Sequence, residues 1–349
     1  MILSLVSLTL AAGARPITQP VDANAQAPRW SQDGTQLAYE LNFHEAKRIE
    51  TWIHQPGGSP VRVQPRASGA SAVTAGFQTS SGGEVVHELS WGPQGYYVYS
   101  ASRPDEDYEL FLSSGSKLAE SPAADGGPVW SPDQASIAFT SSRTGEGDVY
   151  LLSAAALDAP PKRVSADPDA SELFLAWAPN SQSLAWVGHT SQGDTILLVD
   201  DVASPTPRVL AALGNTQTRP SFSPDGKNIA FYSNHKERGR FDLYVIPVAG
   251  GTARQLAQGV VMNFDGPQWS PDGQHLVYVD DDDAAFDPVY TVGVAGGSSQ
   301  RVDTRTVGNG DHDLVRGTDG KLYLAIAAQG KVEDEVRDFK RIYVVELSL

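Results

Sequence analysis

Apolar residues in this chain come in short unbroken runs. Ile229-Ala230-Phe231-Tyr232 and Leu243-Tyr244-Val245-Ile246 are apolar at consecutive positions, whereas a sheet with one wet face would alternate apolar and polar. Strands of this kind are covered on both faces. Between Pro220–Phe222 and Ile229–Tyr232 lies Ser223-Pro224-Asp225-Gly226, in which proline fixes φ at the first corner, aspartate bonds nearby amides and glycine takes the positive φ that closes a hairpin. With Asp242–Val248 and Ala253–Leu256 the stretch predicts four short antiparallel strands in about forty residues. A small sheet that needs cover on both faces, repeated along a chain, has the character of a propeller blade.

The turn recurs. It reads Trp30-Ser-Gln-Asp-Gly34, Trp91-Gly-Pro-Gln-Gly95, Trp130-Ser-Pro-Asp-Gln134, Trp177-Ala-Pro-Asn-Ser181, Phe222-Ser-Pro-Asp-Gly226 and Trp269-Ser-Pro-Asp-Gly273, at intervals of 61, 39, 47, 45 and 47 residues. The long first interval holds a Ser/Gly/Ala-rich loop, Ala67–Gly83. A fainter seventh copy, Arg316-Gly-Thr-Asp-Gly320, has arginine where the others carry an aromatic. That last set lacks a fourth strand, whereas Arg15–Gln19 stands free before the first motif. The expectation is an all-β propeller of seven four-stranded blades, with six as the alternative, closed by strands from both termini in one blade. The motif aromatics are expected to be pegs between blades, and the motif aspartates turn residues.

A tryptophan or phenylalanine before Ser-Pro-Asp-Gly, then an Ile-Ala-Phe strand and an Asp-Leu-Tyr-Val strand, resembles the WD40-like (PD40) repeat of TolB-type propellers over roughly residues 15–349. The resemblance implies the fold and a binding module. Similar repeats occur in the propellers of prolyl oligopeptidase-type peptidases and of some polysaccharide lyases, so it reaches enzymes as well.

Composition narrows the partners. A formal net charge of -16 argues against nucleic acid and anionic membrane. Zero cysteines exclude disulfides, thiol catalysis and Cys-ligated metal. Residues 1–14 carry a short apolar run ending in Ala12-Gly13-Ala14, which reads as a secretory signal and is too short to span a bilayer. The expectation is therefore a periplasmic or secreted monomer that is not an integral membrane protein.

Candidate chemistry comes from positions counted back from the motif aromatic. His87-Glu88 and His312-Asp313 occupy the same two places in the second and seventh blades, Asp265 shares the histidine position in the sixth, and Arg219 is adjacent in the fifth. Converging at a channel mouth, such imidazoles and carboxylates would suit Zn or Mn ligation or acid–base work, and Arg219 an anionic ligand. Asp280, Asp281, Asp282, Asp283 and Asp287 are hard oxygen donors dense enough to suggest Ca²⁺. No Gly-x-Ser-x-Gly elbow, P-loop, dinucleotide fingerprint or His-Glu-x-x-His is present. The sequence thus predicts a non-enzymatic module binding a protein or envelope component through its loop face. The alternative is a metal-dependent polysaccharide lyase or hydrolase with its site at the channel mouth.

Overall fold

A computed structural model describes residues 15–18, 22–55, 58–64, 85–102, 107–145, 147–165, 169–281, 286–331 and 339–347. The signal-like segment 1–14, the whole Ala67–Gly83 loop, and Asp282 and Asp283 lie outside them.

Among the described residues all regular structure is β, apart from a single 3-10 turn at Pro93–Gly95. Among the described residues the strands fall into seven four-stranded antiparallel sets, with a separate two-stranded ribbon of Thr306–Val307 and Gly330–Lys331. The fifth is representative, running Gln217–Phe222, Asn228–Ser233, Asp242–Pro247 and Arg254–Ala257 in sheet order. The first and second sets are joined by one parallel pair, Ile49 to Val85. In the seventh set, His312–Arg316, Leu322–Ala328 and Arg341–Leu347 are completed from the other end of the chain by Arg15–Pro16, with Arg15 opposite Val344 and Pro16 opposite Tyr343. Ile17 N–H extends this pairing to Ile342 O at 2.9 Å.

The core lies between the sheets, as the unbroken apolar runs require. Seven clusters of buried side chains correspond to seven junctions between consecutive sets. One of them joins last to first, packing Ala325, Ala327, Ile342 and Val344 against Ala23, Ala25, Leu37 and Tyr39. The ring is thus closed by apolar packing as well as by strand exchange. Aromatic pairs recur at the same cross-strand place, Tyr99 on Phe111, Phe139 on Tyr150, Phe231 on Tyr244 and Tyr278 on Tyr290, each with centroids 5.7 or 5.8 Å apart.

The motif residues do what their chemistry predicts. Trp91, Trp130, Phe222 and Trp269 are buried. The indole N–H groups of Trp91, Trp177 and Trp269 reach back to the preceding blade, to the carbonyls of Arg29, Val129 and Ser221. In the second blade the motif serine is replaced by Gly92, and the reason is close approach: a Cβ there would stand 2.6 Å from the Trp130 ring. In the turns, Ser31, Ser131, Ser223 and Ser270 each donate Oγ–H to the motif aspartate two residues on, at 2.6 to 2.7 Å. Each of those oxygens accepts the amide five residues on, at 2.9 to 3.0 Å.

Candidate functional site

The inner strands carry one irregularity that builds the site. Their register slips between Gln26 and Arg29, His87 and Ser90, Gly126 and Val129, Leu173 and Ala176, and Thr218 and Ser221. Each slip is a β-bulge. The residue three before the motif aromatic takes a left-handed backbone there: Ala27 (φ 45°), Glu88 (55°), Gly127 (58°), Phe174 (56°) and Arg219 (57°). In the sixth blade the bulge widens into a loop between Val260–Val261 and Gln268–Trp269, with Gly266 at φ 93°.

A bulge removes an amide from the ladder, and a buried amide needs another acceptor. In three blades that acceptor is a carboxylate of the blade before. Glu88 N–H donates to Glu40 Oε1 at 3.1 Å, Gly127 N–H to Glu88 Oε2 at 2.8 Å, and Ala27 N–H to Asp311 Oδ2 at 3.1 Å across the ring seam. Asp311 also accepts Phe264 N–H at 2.9 Å, so one side chain ties three blades.

The bulges surround a cavity of about 660 Å³ in the channel, lined among others by Arg29, His87, Glu88, Phe174, Arg219 and Asp265. The lining also includes Ser141, Ser142 and Gly147 from the loop between second and third strands of the third blade, so the cavity reaches the loop face.

Within it the charges are unequally satisfied. Arg29 holds Asp265 through two bonds, at 2.7 and 2.8 Å, and reaches Glu40 Oε1 at 3.1 Å. Burial alone would lower the Arg29 pKa, but the two carboxylates hold it above the usual range. Burial raises the Asp265 carboxyl, against the pull of Arg29. At Glu88 burial pushes upward, but His87, the Gly127 amide, the Ser100 hydroxyl and Arg29 together leave the carboxyl lowered. Asp313 accepts Trp30 N–H at 2.6 Å and Leu314 N–H at 2.9 Å, yet burial and the nearby Asp265 push its carboxyl up to about 7.

Arg219 is different. Its guanidinium carbon lies over two rings, 3.9 Å from the Phe174 centroid and 4.4 Å from that of Phe264, and it makes no hydrogen bond or ion pair with another described residue. Burial pulls its pKa down, although Asp265 and Glu88 act in the opposite direction. His87 also faces the cavity, against Tyr108 at 5.0 Å, with Nε2 buried, unbonded and 3.8 Å from Glu88 Oε2.

The structure therefore brings His87, Glu88, Arg219, Asp265 and Asp313 to one cavity, and leaves His312 out. His312 is buried, with Nδ1 3.0 Å from Gly310 O and Nε2 3.4 Å from Val277 O. The seventh inner strand has no register slip, so strict alternation turns Asp313 to the channel and His312 into the sheet packing. His87 and His312 thus do not form a pair. Of the acidic run, Asp281 is an exposed residue bonded through its amide to Gly259 O, and Asp287 is half-buried. Neither Asp280, Asp281 nor Asp287 lines the cavity. Among the described residues, no three His, Asp or Glu side chains converge as a metal site.

Counting back to the bulge would have found Phe174. Arg29, Glu40 and Phe264 carry no such signal, because their roles arise from contacts across the ring.

The sequence pattern of the TolB beta propeller domain matches residues 169–341. Taken with the seven-set ring, the match decides the fold. The chain is a TolB-like β-propeller. This propeller is 26% identical over 186 residues to an uncharacterized protein of Agrobacterium fabrum, a match spanning 52% of this chain and 59% of that one. It superposes on TolB from Acinetobacter baumannii with a TM-score of 0.51 at 19% identity, covering 77% of this chain and 66% of TolB. It also superposes on an oligogalacturonate lyase in complex with manganese, with a TM-score of 0.61 at 13% identity, covering 95% and 92%. The chain thus spans less than two thirds of the first two of these proteins. Among the described residues of the propeller, no helix is long and apolar enough to cross a membrane.

Proposed function

We propose that this propeller is an exported, non-enzymatic binding module that takes a protein or envelope ligand into the loop-face end of its channel. The observation that carries the reading is the unequal satisfaction of the cavity. Glu88, Asp265 and Asp313 are engaged in holding blades together, whereas Arg219 is presented without an acceptor among the described residues. A concave site that presents an open guanidinium amid aromatic walls is built to receive a ligand.

A polysaccharide lyase or hydrolase is the second reading, favoured by the likeness to the manganese-bound lyase and by the unbonded Nε2 of His87. Gly127 offers the test. It sits at the bulge, a conformation that Ala27 and Glu88 adopt with side chains, and a Cβ there would meet only Thr140 Oγ1, at 3.7 Å. Gly127→Phe should fill the cavity while leaving the ring folded. Immobilised propeller should retain a component of envelope extract that the variant does not. Equal retention by the variant would place binding elsewhere. Stoichiometric Mn or Zn lost in His87→Ala, with turnover of a polyuronate, would establish the enzyme instead.

A further inference from the structure

Resting on the binding-module reading, we infer that Arg219 is a carboxylate receptor, and that the ligand enters the channel by a peptide carboxylate, with apolar side chains of the same peptide held against the rim.

The argument begins with what each cation in the cavity already has. Arg29 is saturated by Asp265 and Glu40. Arg219 has nearby carboxylates, yet each is committed elsewhere: Asp265 to Arg29, Glu88 to the Gly127 amide and Ser100 Oγ, and Asp311 to the amides of Ala27 and Phe264. Phe174 and Phe264 both lie against the guanidinium, and its N–H groups donate only in its own plane. Its geometry there matches a carboxylate fork. Held against two rings, the side chain has less rotamer freedom to lose on binding than a solvated arginine. Lysine would not serve here, because a point charge neither stacks between rings nor presents a planar fork.

The rim supplies the rest of the ligand. Leu173 and Tyr108 line the cavity yet are 38% and 36% exposed. Large apolar side chains left open beside a single unpaired cation call for an occupant that is anionic at one point and apolar around it. Leu173 is an irregular aliphatic surface that suits a peptide side chain better than a flat sugar ring. The strongly acidic character of the whole chain, with net charge -16, makes the local cation selective, because an anionic ligand is repelled everywhere except here.

The test uses the full chain and small probes, read by ligand-observed NMR titration. The probes are N-acetyl-Leu-Phe with a free carboxylate, the same dipeptide as its amide, N-acetyl-Leu-Glu-Leu-amide, and D-galacturonate. Wild type should bind the free acid about tenfold or more tightly than its amide, the usual scale of a charge-assisted pair. Arg219→Gln should abolish that preference, and Arg219→Lys should restore only a minor part of it. Melting temperatures of both variants near that of the parent show that the ring is intact. A chain-end ligand favours the dipeptide acid and an internal acidic residue favours the glutamyl probe. Equal binding of acid and amide, a preference surviving in Arg219→Gln, or binding of galacturonate alone would overturn the inference. An envelope component retained equally by Arg219→Gln would overturn it while leaving the binding-module reading intact. Turnover of a polyuronate alongside a persistent acid-over-amide preference would do the reverse.

Discussion

The two ends of the channel are built on opposite principles. On the motif-turn end, four blades repeat one hydrogen-bonded figure: serine hydroxyl to aspartate, aspartate to the amide two residues on, serine to the amide five residues on. At the bulges the backbone repeats while the side chains vary: Ala27, Glu88, Gly127, Phe174 and Arg219 sit at the slips, Gly266 in the widened loop, and Asp313 at the same count in the unbulged seventh strand. Repetition there would give a rotationally symmetric pore with no preferred ligand. Variation on a repeated backbone gives one asymmetric cavity, in which Arg219 is open while Glu88, Asp265 and Asp313 are engaged. The turn end therefore encodes the ring, and the bulge ring encodes what the ring does.

The largest effects should come from the repeated side. Trp269 is buried between the fifth and sixth blades and donates its indole N–H to Ser221 O at 3.1 Å. Trp269→Ala should cost about 3–5 kcal/mol, as for other large-to-small aromatic truncations in cores. A chemical-denaturation midpoint close to the parent's would show that the motif aromatic is not a wedge. Deleting residues 1–20 comes next. It removes the outer strand of the seventh blade, including the bond from Ile17 N–H to Ile342 O and that from Ile342 N–H to Thr18 Oγ at 3.3 Å. At about 0.5–1.5 kcal/mol per net bond, roughly 2–4 kcal/mol should be lost. A truncated ring melting at the parent temperature would mean that apolar packing at the seam suffices without the strand.

The same contrast explains what could be read before any coordinates. The turn signature, the unbroken apolar strands and the spare N-terminal strand each rest on local chemistry, and a local signal repeated in phase is hard to mistake. The bulges leave no such trace, because a register slip depends on two strands at once. Hence His87 and His312, equivalent by counting, part company: the bulged second blade exposes His87 to the cavity and the unbulged seventh buries His312. Glu88 and Asp313 were legible as channel residues but not as staples, since their partners Gly127 and Trp30 lie 39 and 283 residues away. The pairing of Arg29 with Asp265 spans 236 residues and could only be seen in the closed ring.

Asp313 separates the two ends by pH. Its folded carboxyl titrates near 7, above the ordinary aspartate value of 3.8, so between those values the folded state holds a proton that the unfolded state has released. Stability should therefore fall as pH rises from about 4 to about 7. The fall is moderated because the side chain is only partly buried at the cavity wall. Asp313→Asn keeps an acceptor for Trp30 N–H and removes the titration. The variant should show a flatter stability curve over this range and be the more stable protein above pH 7. Parallel curves for variant and parent, measured by urea melts from pH 4 to 8, would mean that the charge at Asp313 is already balanced in the folded ring.

Asp272 should show the smallest effect and the opposite sign. Bonds from Ser270 Oγ–H at 2.6 Å and Gln274 N–H at 2.9 Å hold its carboxyl below the usual aspartate value. A depressed carboxyl contributes stability that is fully present above the unfolded value, near 4, and is lost as pH falls through the folded one. Because the turn is exposed, water screens most of this contribution. Asp272→Ala should cost only about 0.5–1 kcal/mol at neutral pH, since the turn retains Gly273 at φ 69° and its bond to Ser270 O. The difference from the parent should shrink as pH falls through the lowered value of the folded carboxyl, because the parent then loses the same charge. The decisive result is the pairing of the two slopes in one protein: Asp272 should matter less in acid, and Asp313→Asn should gain its advantage as acid is removed. If both substitutions moved stability by a constant amount across pH, neither carboxylate would be held by the contacts described, and the division between a repeated turn end and a varied channel end would lose its electrostatic basis.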